Sequence, residues 1–175
     1  MVLIVLFICV LFTLILCASL LMGVFTVPFV PTPKRVFLTL LPYNLIKNGD
    51  EVYELGCGNA LFLRFFANKF LIQAKGCEII PLFYLYGCIF EIFHNFTTKK
   101  SKIKIEYQSF FTTDLSQVDV VYCYLLPKYL NALTKNFDMM KSGSLIISYD
   151  FKIQKYQLFK EISIKQNHTI YLYKR

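Results

Sequence analysis

Glu54, Gly56, Cys57 and Gly58 fall within one short stretch, Glu54-Leu55-Gly56-Cys57-Gly58-Asn59-Ala60, set between an apolar run and a helical pattern. Glycines where a chain leaves a parallel strand permit a tight turn and let a ligand approach the backbone near a helix amino terminus. The stretch is selective in what it can hold. A dinucleotide fingerprint needs glycine where Leu61 stands, and a phosphate-binding loop needs a Gly-Lys-Ser/Thr sequence that is absent here. Glu54 precedes the first glycine by two positions, and a carboxylate beside such a turn suits a cationic ligand better than a pyrophosphate.

The surrounding pattern supplies the elements that must position these residues. Lys47-Asn48-Gly49-Asp50 is a turn leading into a strand over 51–55, and apolar spacing at 61, 62, 65, 66 and 70 predicts a helix over 61–70. A strand over 73–78 follows, then a helix opened by Pro81 and running to about His94, with a polar loop over 95–101. Strands are predicted over 103–107, 118–125 and 144–149, with a helix over 127–140 ended by Ser142-Gly143. Two short strands, 162–165 and 169–174, are joined through Gln166-Asn167-His168 as a hairpin. Alternating strands and helices that finish in a paired hairpin predict an α/β doubly wound sheet with an antiparallel carboxyl-terminal hairpin.

The charges are unevenly placed. All 30 of them (19 Lys+Arg and 11 Asp+Glu) fall after Pro33, in the last 142 residues. Eighteen Phe and 12 Tyr with modest charge density exclude a disordered chain, and the lack of a second long charge-free run excludes a polytopic membrane protein. Residues 2–27 read as a transmembrane helix; no Lys or Arg precedes the apolar stretch, which is too long for a cleaved signal. Pro28, Pro31 and Pro33 make a stiff connector, followed by a short amphipathic helix over 34–41. The expected division is therefore an anchor over 1–27, a connector and short helix over 28–48, and one domain over 49–175. Lys34 and Arg35 are the first charges past the anchor, which puts the domain on the cytoplasmic or organellar matrix side.

The six cysteines include no Cys-x-x-Cys and read as reduced core thiols, and no metal site is expected. The two Asn-x-Thr sequons, at Asn95 and Asn167, would be chance matches on the cytoplasmic side. His94 and His168 read as isolated, solvated residues. The basic run Lys99-Lys100-Ser101-Lys102-Ile103-Lys104 could rest on anionic lipid headgroups, although a solvated loop is the plainer reading. Nucleic acid is not expected as a partner, because the aromatics sit at core periodicities and the other lysines are dispersed.

Glu54, Gly56 and Gly58, with Ala60 in place of a third glycine, resemble motif I of the class I S-adenosylmethionine-dependent methyltransferases. The resemblance implies a Rossmann-like methyltransferase sheet with S-adenosylmethionine as cofactor. It implies that Glu54, Gly56, Cys57 and Gly58 bind the cofactor and that Glu78, ending Gly76-Cys77-Glu78, takes the ribose hydroxyls. Ser109 and Phe110 fall where this fold meets the adenine, with Asp114 an alternative in a slipped register. Tyr122-Cys123-Tyr124-Leu125-Leu126-Pro127 occupies the place of the substrate-facing motif IV, without the Asn/Asp-Pro-Pro-Tyr of nucleic-acid amino methylases. Tyr124, Pro127 and Asp150 are the acceptor-side candidates.

A narrower resemblance covers nearly the whole chain. An apolar segment, the Phe29-Val30-Pro31-Thr32-Pro33 connector, a short helix, motif I, a Leu-Leu-Pro stretch and a short end after Asp150-Phe151 look like one small membrane-anchored family. Its members include mitochondrial lysine methyltransferases acting on the ATP synthase c subunit and the adenine nucleotide translocase, with bacterial relatives. The implied partners are the lipid bilayer and a membrane-protein substrate. Methylation of a lipid or small lipophilic molecule, and a non-catalytic tethered module of the same fold, stand as alternatives.

Overall fold

The computed structural model describes residues 1–25, 30–98, 100–165 and 167–175. Pro28 and Phe29 of the connector, Lys99 of the basic run and Gln166 of the hairpin lie outside the described residues. The first element is α1 (Val2–Phe25), whose segment Val2–Leu21 has a mean hydropathy of 3.1 and is long and apolar enough to cross a membrane. After it come α2 (Lys34–Leu40) and a 3-10 turn, Leu41–Tyr43, that includes Pro42, which has no N–H to extend an α-helix.

The sheet is built from β1 (Glu51–Leu55), β2 (Gln73–Glu78), β3 (Ile103–Tyr107), β4 (Val120–Cys123), β5 (Leu145–Tyr149), β6 (Lys160–Ile164) and β7 (His168–Lys174). Its seven strands run in the order β3-β2-β1-β4-β5-β7-β6. The pairs from β3 to β5 are parallel, while β7 pairs antiparallel with both β5 and β6. The chain reverses direction in space between β1 and β4, and in open sheets ligands bind outside the strand carboxyl ends at such a switch point. β1 and β4 are central, and apart from Glu51 at the start of β1 all their residues are buried.

Helices cover both faces. On one lie α2, α3 (Leu61–Ala67) and α4 (Pro81–Thr97), with Val36, Phe37, Leu40, Phe62, Leu63 and Phe66 packed on the sheet. On the other lie α5 (Pro127–Ala132) and α6 (Thr134–Asp138), with Leu130, Leu133 and Phe137 in the core. The single helix expected over 127–140 is thus two. Leu133, at φ −77° and ψ −2°, departs from helical dihedrals and separates the two, although its N–H still bonds to the Tyr129 carbonyl and its carbonyl to Phe137 N–H. The loop expected over 95–101 is shorter than its pattern suggests. α4 continues to Thr97, and the Asn95 side chain pairs with both backbone groups of Ile103, at 2.8 Å each.

Neither histidine is isolated, contrary to expectation. His94 is buried, with Nε2 2.9 Å from the Ser101 carbonyl, because α4 runs one turn past it. His168 Nδ1 lies 2.8 Å from Asp150 Oδ2, since the β5–β7 pairing brings the two strand ends together. All six cysteines are free, with Cys57, Cys77 and Cys123 buried.

Candidate active site

The glycine turn runs from the end of β1 into α3. Gly56 and Gly58 have φ of 69° and 49°, the left-handed region where a side chain is disfavoured. Ala60 shares that conformation at φ 52°, as the residue preceding α3. A second constraint acts from outside: a Cβ on Gly87 of α4 would stand 2.3 Å from the Gly58 carbonyl oxygen. The glycine at 87 lets α4 press directly against the turn.

Two carboxylates face this turn, and both are buried. Glu78 ends β2 with its carboxylate held by three backbone N–H groups. Ile79 and Ile80 donate to Oε1 at 2.9 Å each, and Gly58 donates to Oε2 at 3.1 Å. Burial raises its pKa, and these three donors partly offset the rise. Glu54 accepts one bond at 3.4 Å from Leu63 N–H, and burial pushes its carboxyl well above the usual range despite the nearby Arg64. The Cys57 thiol is likewise pushed well up by burial, so it is a neutral packing group.

A cavity of about 770 Å³, mouth included, opens at the carboxyl ends of β1, β2 and β4. Glu54, Gly56, Cys57, Glu78, Phe110 and Tyr124 line it. Gly58 does not line it and acts through its bond to Glu78. Ser109 is half-buried, and its hydroxyl accepts from Phe111 N–H at 3.3 Å, capping the 3-10 turn Phe110–Thr112 that carries Phe110 to the wall. Pro127 is exposed at the first position of α5, away from the lining.

Asp150 sits just past β5 at φ 64°. Its Oδ1 accepts from Thr169 N–H at 3.1 Å, and its Oδ2 meets His168. Tyr124 lies beside it. Burial raises the Tyr124 hydroxyl pKa, and the Asp150 charge and hydrogen bond add to the rise. The Tyr124 ring packs against Tyr149 and Phe151, with centroids 4.6 and 6.2 Å away. A carboxylate, an imidazole and a phenol therefore converge at the ends of β4, β5 and β7.

One wall of the cavity comes from residues that sequence reasoning treated only as a tether. Val30, Pro31 and Thr32 line it, and the Thr32 hydroxyl lies 2.8 Å from the buried Tyr122 hydroxyl. The Tyr122 ring in turn stacks on Phe62, with centroids 4.0 Å apart and planes at 9°. The proline spacing signals a rigid segment, but nothing local tells that it folds back over β4. Asn59, between Gly58 and Ala60, also lines the cavity.

The strand order, the glycine turn after β1 and an acid at the end of β2 together define a class I methyltransferase. Known proteins agree. Residues 54–160 match the ANTKMT methyltransferase domain. A protein-lysine N-methyltransferase of Saccharolobus islandicus (strain REY15A) is 30% identical over 152 residues, 84% of this chain and 92% of the relative. In fold, the chain is similar to an RNA methyltransferase from Salinibacter ruber, crystallised with S-adenosyl-L-homocysteine, at a TM-score of 0.74 and 23% identity, covering 83% of this chain and 93% of that one. A methyltransferase from Pyrococcus furiosus has a TM-score of 0.65 at 16% identity, covering 83% of this chain and 84% of that one. The chain belongs to the ANTKMT methyltransferase family, and its cofactor is S-adenosylmethionine.

The cavity fits that cofactor. Glu78 is fixed by three amides and keeps an acceptor site on Oε2 for a hydroxyl, Glu54 offers negative charge to a cation, and Gly56 leaves its backbone open to close approach.

Proposed function

We propose that this protein is anchored in a membrane by α1 and N-methylates a lysine of a membrane protein, with its catalytic domain on the cytoplasmic or matrix side. The observation that carries this reading is the cavity wall formed by Val30, Pro31 and Thr32, the residues that follow the apolar helix. A site walled by the connector lies close to whatever α1 is embedded in. The name of the Saccharolobus relative supports lysine as the acceptor, and Lys34 and Arg35 after the apolar segment support the sidedness.

In this reading Glu78 holds the ribose hydroxyls, Glu54 faces the positive charge, Gly56 and Cys57 bring the backbone close, and Gly58 orients Glu78. Phe110 packs on the adenine from a turn that Ser109 caps. When bound, S-adenosylmethionine would supply a methyl group on a sulfonium, open to displacement by an amine lone pair with the S–C electrons left on sulfur. The protein holds the nitrogen in line and excludes water, which its largely apolar cavity walls favour. The amine must arrive without its proton. Asp150 Oδ2, paired with His168 Nδ1, is the acceptor beside Tyr124. Pro127 starts α5 outside the cavity lining and has no part in this reading.

Calorimetry with S-adenosylmethionine tests the cofactor site, and Glu78→Ala is expected to lose most of the affinity. Unchanged affinity would overturn the Glu78 assignment, and no binding by the native protein at high micromolar cofactor would favour a non-catalytic module. Transfer of radiolabelled methyl to membranes, separated into protein and lipid fractions, tests the acceptor. Label in protein is expected; label in lipid would replace lysine with a headgroup or lipophilic acceptor.

A further inference from the structure

Helices that cover an α/β sheet usually turn a polar face to water. α5 and α6 do so with Lys128, Asn131 and Lys135. α4 does not. Leu85, Tyr86, Ile89, Ile92, Phe93 and Phe96 are all exposed, Ile92 at 70% and Phe96 at 89%. At about 100° per residue these six fall within an arc of about 120°. The opposite face carries Gly87 and His94 into the domain, together with the helix's single acid, Glu91, which accepts from Ile105 N–H.

Two further features indicate what covers this face. First, it is continuous with α1: the Ser19 hydroxyl, buried near the carboxyl end of that helix, accepts from Leu82 N–H at 2.9 Å in the first turn of α4. The apolar face begins where the membrane-length helix ends. Second, the residues beside it are basic. Arg64 lies over the Phe90 ring at 4.2 Å, Lys102 Nζ donates to the Asn95 carbonyl in the last turn of α4, and Lys100 Nζ donates to Lys69 O at 3.0 Å. An apolar helical stripe with flanking cations matches the boundary between acyl chains and anionic headgroups.

We propose that α4 is a second membrane contact, lying along the bilayer surface with this stripe sunk below the headgroups. The inference rests on the reading of α1 as a membrane anchor and goes beyond it, because it fixes which side of the domain faces lipid. Ile80 and Phe83, at the start of α4, also line the cavity. The cavity would therefore open beside the lipid surface instead of swinging freely on its connector.

The native chain has no tryptophan, so single introduced ones report without background. Ile92→Trp and Phe96→Trp test the stripe, and Leu11→Trp tests the anchor. Phe159→Trp, just before β6 at the far edge of the sheet, is the aqueous control. The full chain is reconstituted in vesicles of phosphatidylcholine and phosphatidylglycerol, with and without brominated acyl chains. The expected result is blue-shifted emission and loss of intensity with brominated lipid at 11, 92 and 96, and neither at 159. Unquenched emission at 92 and 96 with quenching at 11 overturns the α4 contact while leaving the anchor. Red emission would then mean a face in water, and blue emission a face packed on protein, such as a second copy. Absence of quenching at 11 overturns the anchor, and positions 92 and 96 then decide the α4 contact by themselves.

Discussion

The hydroxyls of Thr32 and Tyr122 lie 2.8 Å apart in a buried setting, joining residues 90 positions apart in the chain. The bond fixes the segment after the apolar helix to a central strand and thereby completes the cavity wall. Removing either partner alone strands a buried hydroxyl, which costs about 1–3 kcal/mol, whereas removing both is nearly neutral. Thr32→Val and Tyr122→Phe should each lower stability by about that amount. The double variant should recover much of it, a coupling readable from denaturant unfolding. Thr32→Val should also weaken S-adenosylmethionine binding in calorimetry, because the wall it tethers loosens.

Gly87→Ala places a methyl against backbone, not against a yielding side chain. Alanine gains about 1 kcal/mol of helix propensity over glycine. Overpacking costs about 1–3 kcal/mol, and the rigid Gly58 carbonyl puts this site toward the upper end. We expect a net destabilisation in denaturant titration. Cofactor affinity should fall as well, because the Gly58 N–H that orients Glu78 is displaced with the turn.

Ala60 occupies a conformation that suits glycine, yet Ala60→Gly is expected to change stability by less than about 1 kcal/mol. Removing the Cβ at this left-handed position relieves about 1–2 kcal/mol of strain. Against that stand the burial of one methyl, about 0.8 kcal/mol, and the extra chain entropy of glycine, about 0.4–1 kcal/mol. Ala60→Val adds a β-branched side chain at positive φ in a fully buried position and should cost over about 2 kcal/mol. Thermal unfolding of the two variants side by side checks both.

Burial raises the Glu54 pKa in the folded protein, so its contribution runs opposite to that of a salt-bridged acid. Below the ordinary carboxylate range both states hold the proton and nothing is lost. As pH rises through that range the unfolded chain ionises first, and stability declines until folded Glu54 ionises too. Glu54→Gln should therefore melt higher than the native protein at pH 8, by about 2–4 °C for each kcal/mol recovered, and match it at pH 4. The same variant should bind S-adenosylmethionine more weakly at pH 8, since it offers no negative charge.

Most of the sheet was legible because its strands are short β-branched and aromatic or alternating segments bounded by turn residues. The predicted ranges 51–55, 73–78 and 103–107 are those of β1, β2 and β3, and the terminal hairpin pairs as its pattern requires. Glu54, Gly56, Cys57 and Glu78 were legible for a similar reason: the glycine turn and the strand ends are local features.

What escaped notice depends on contacts remote in sequence. No periodicity tells that Thr32 meets Tyr122, that His168 meets Asp150, or that α4 presses on Gly58 through Gly87. The break at Leu133 was hidden because apolar spacing continues through it. The outward face of α4 was hidden because an apolar stripe reads the same whether it meets a sheet or a bilayer.

The segment that walls the cavity is attached chiefly by oil-like contact. Phe37 of α2 touches Phe62, Phe65, Phe66 and Tyr122 ring to ring, beside fully buried Val36 and Leu40. Such attachment weakens on cooling, because apolar hydration carries a large heat capacity. The wall is thus tightest in the warm and slackens toward freezing. Any ligand that presses it shut will bind with a negative heat-capacity change.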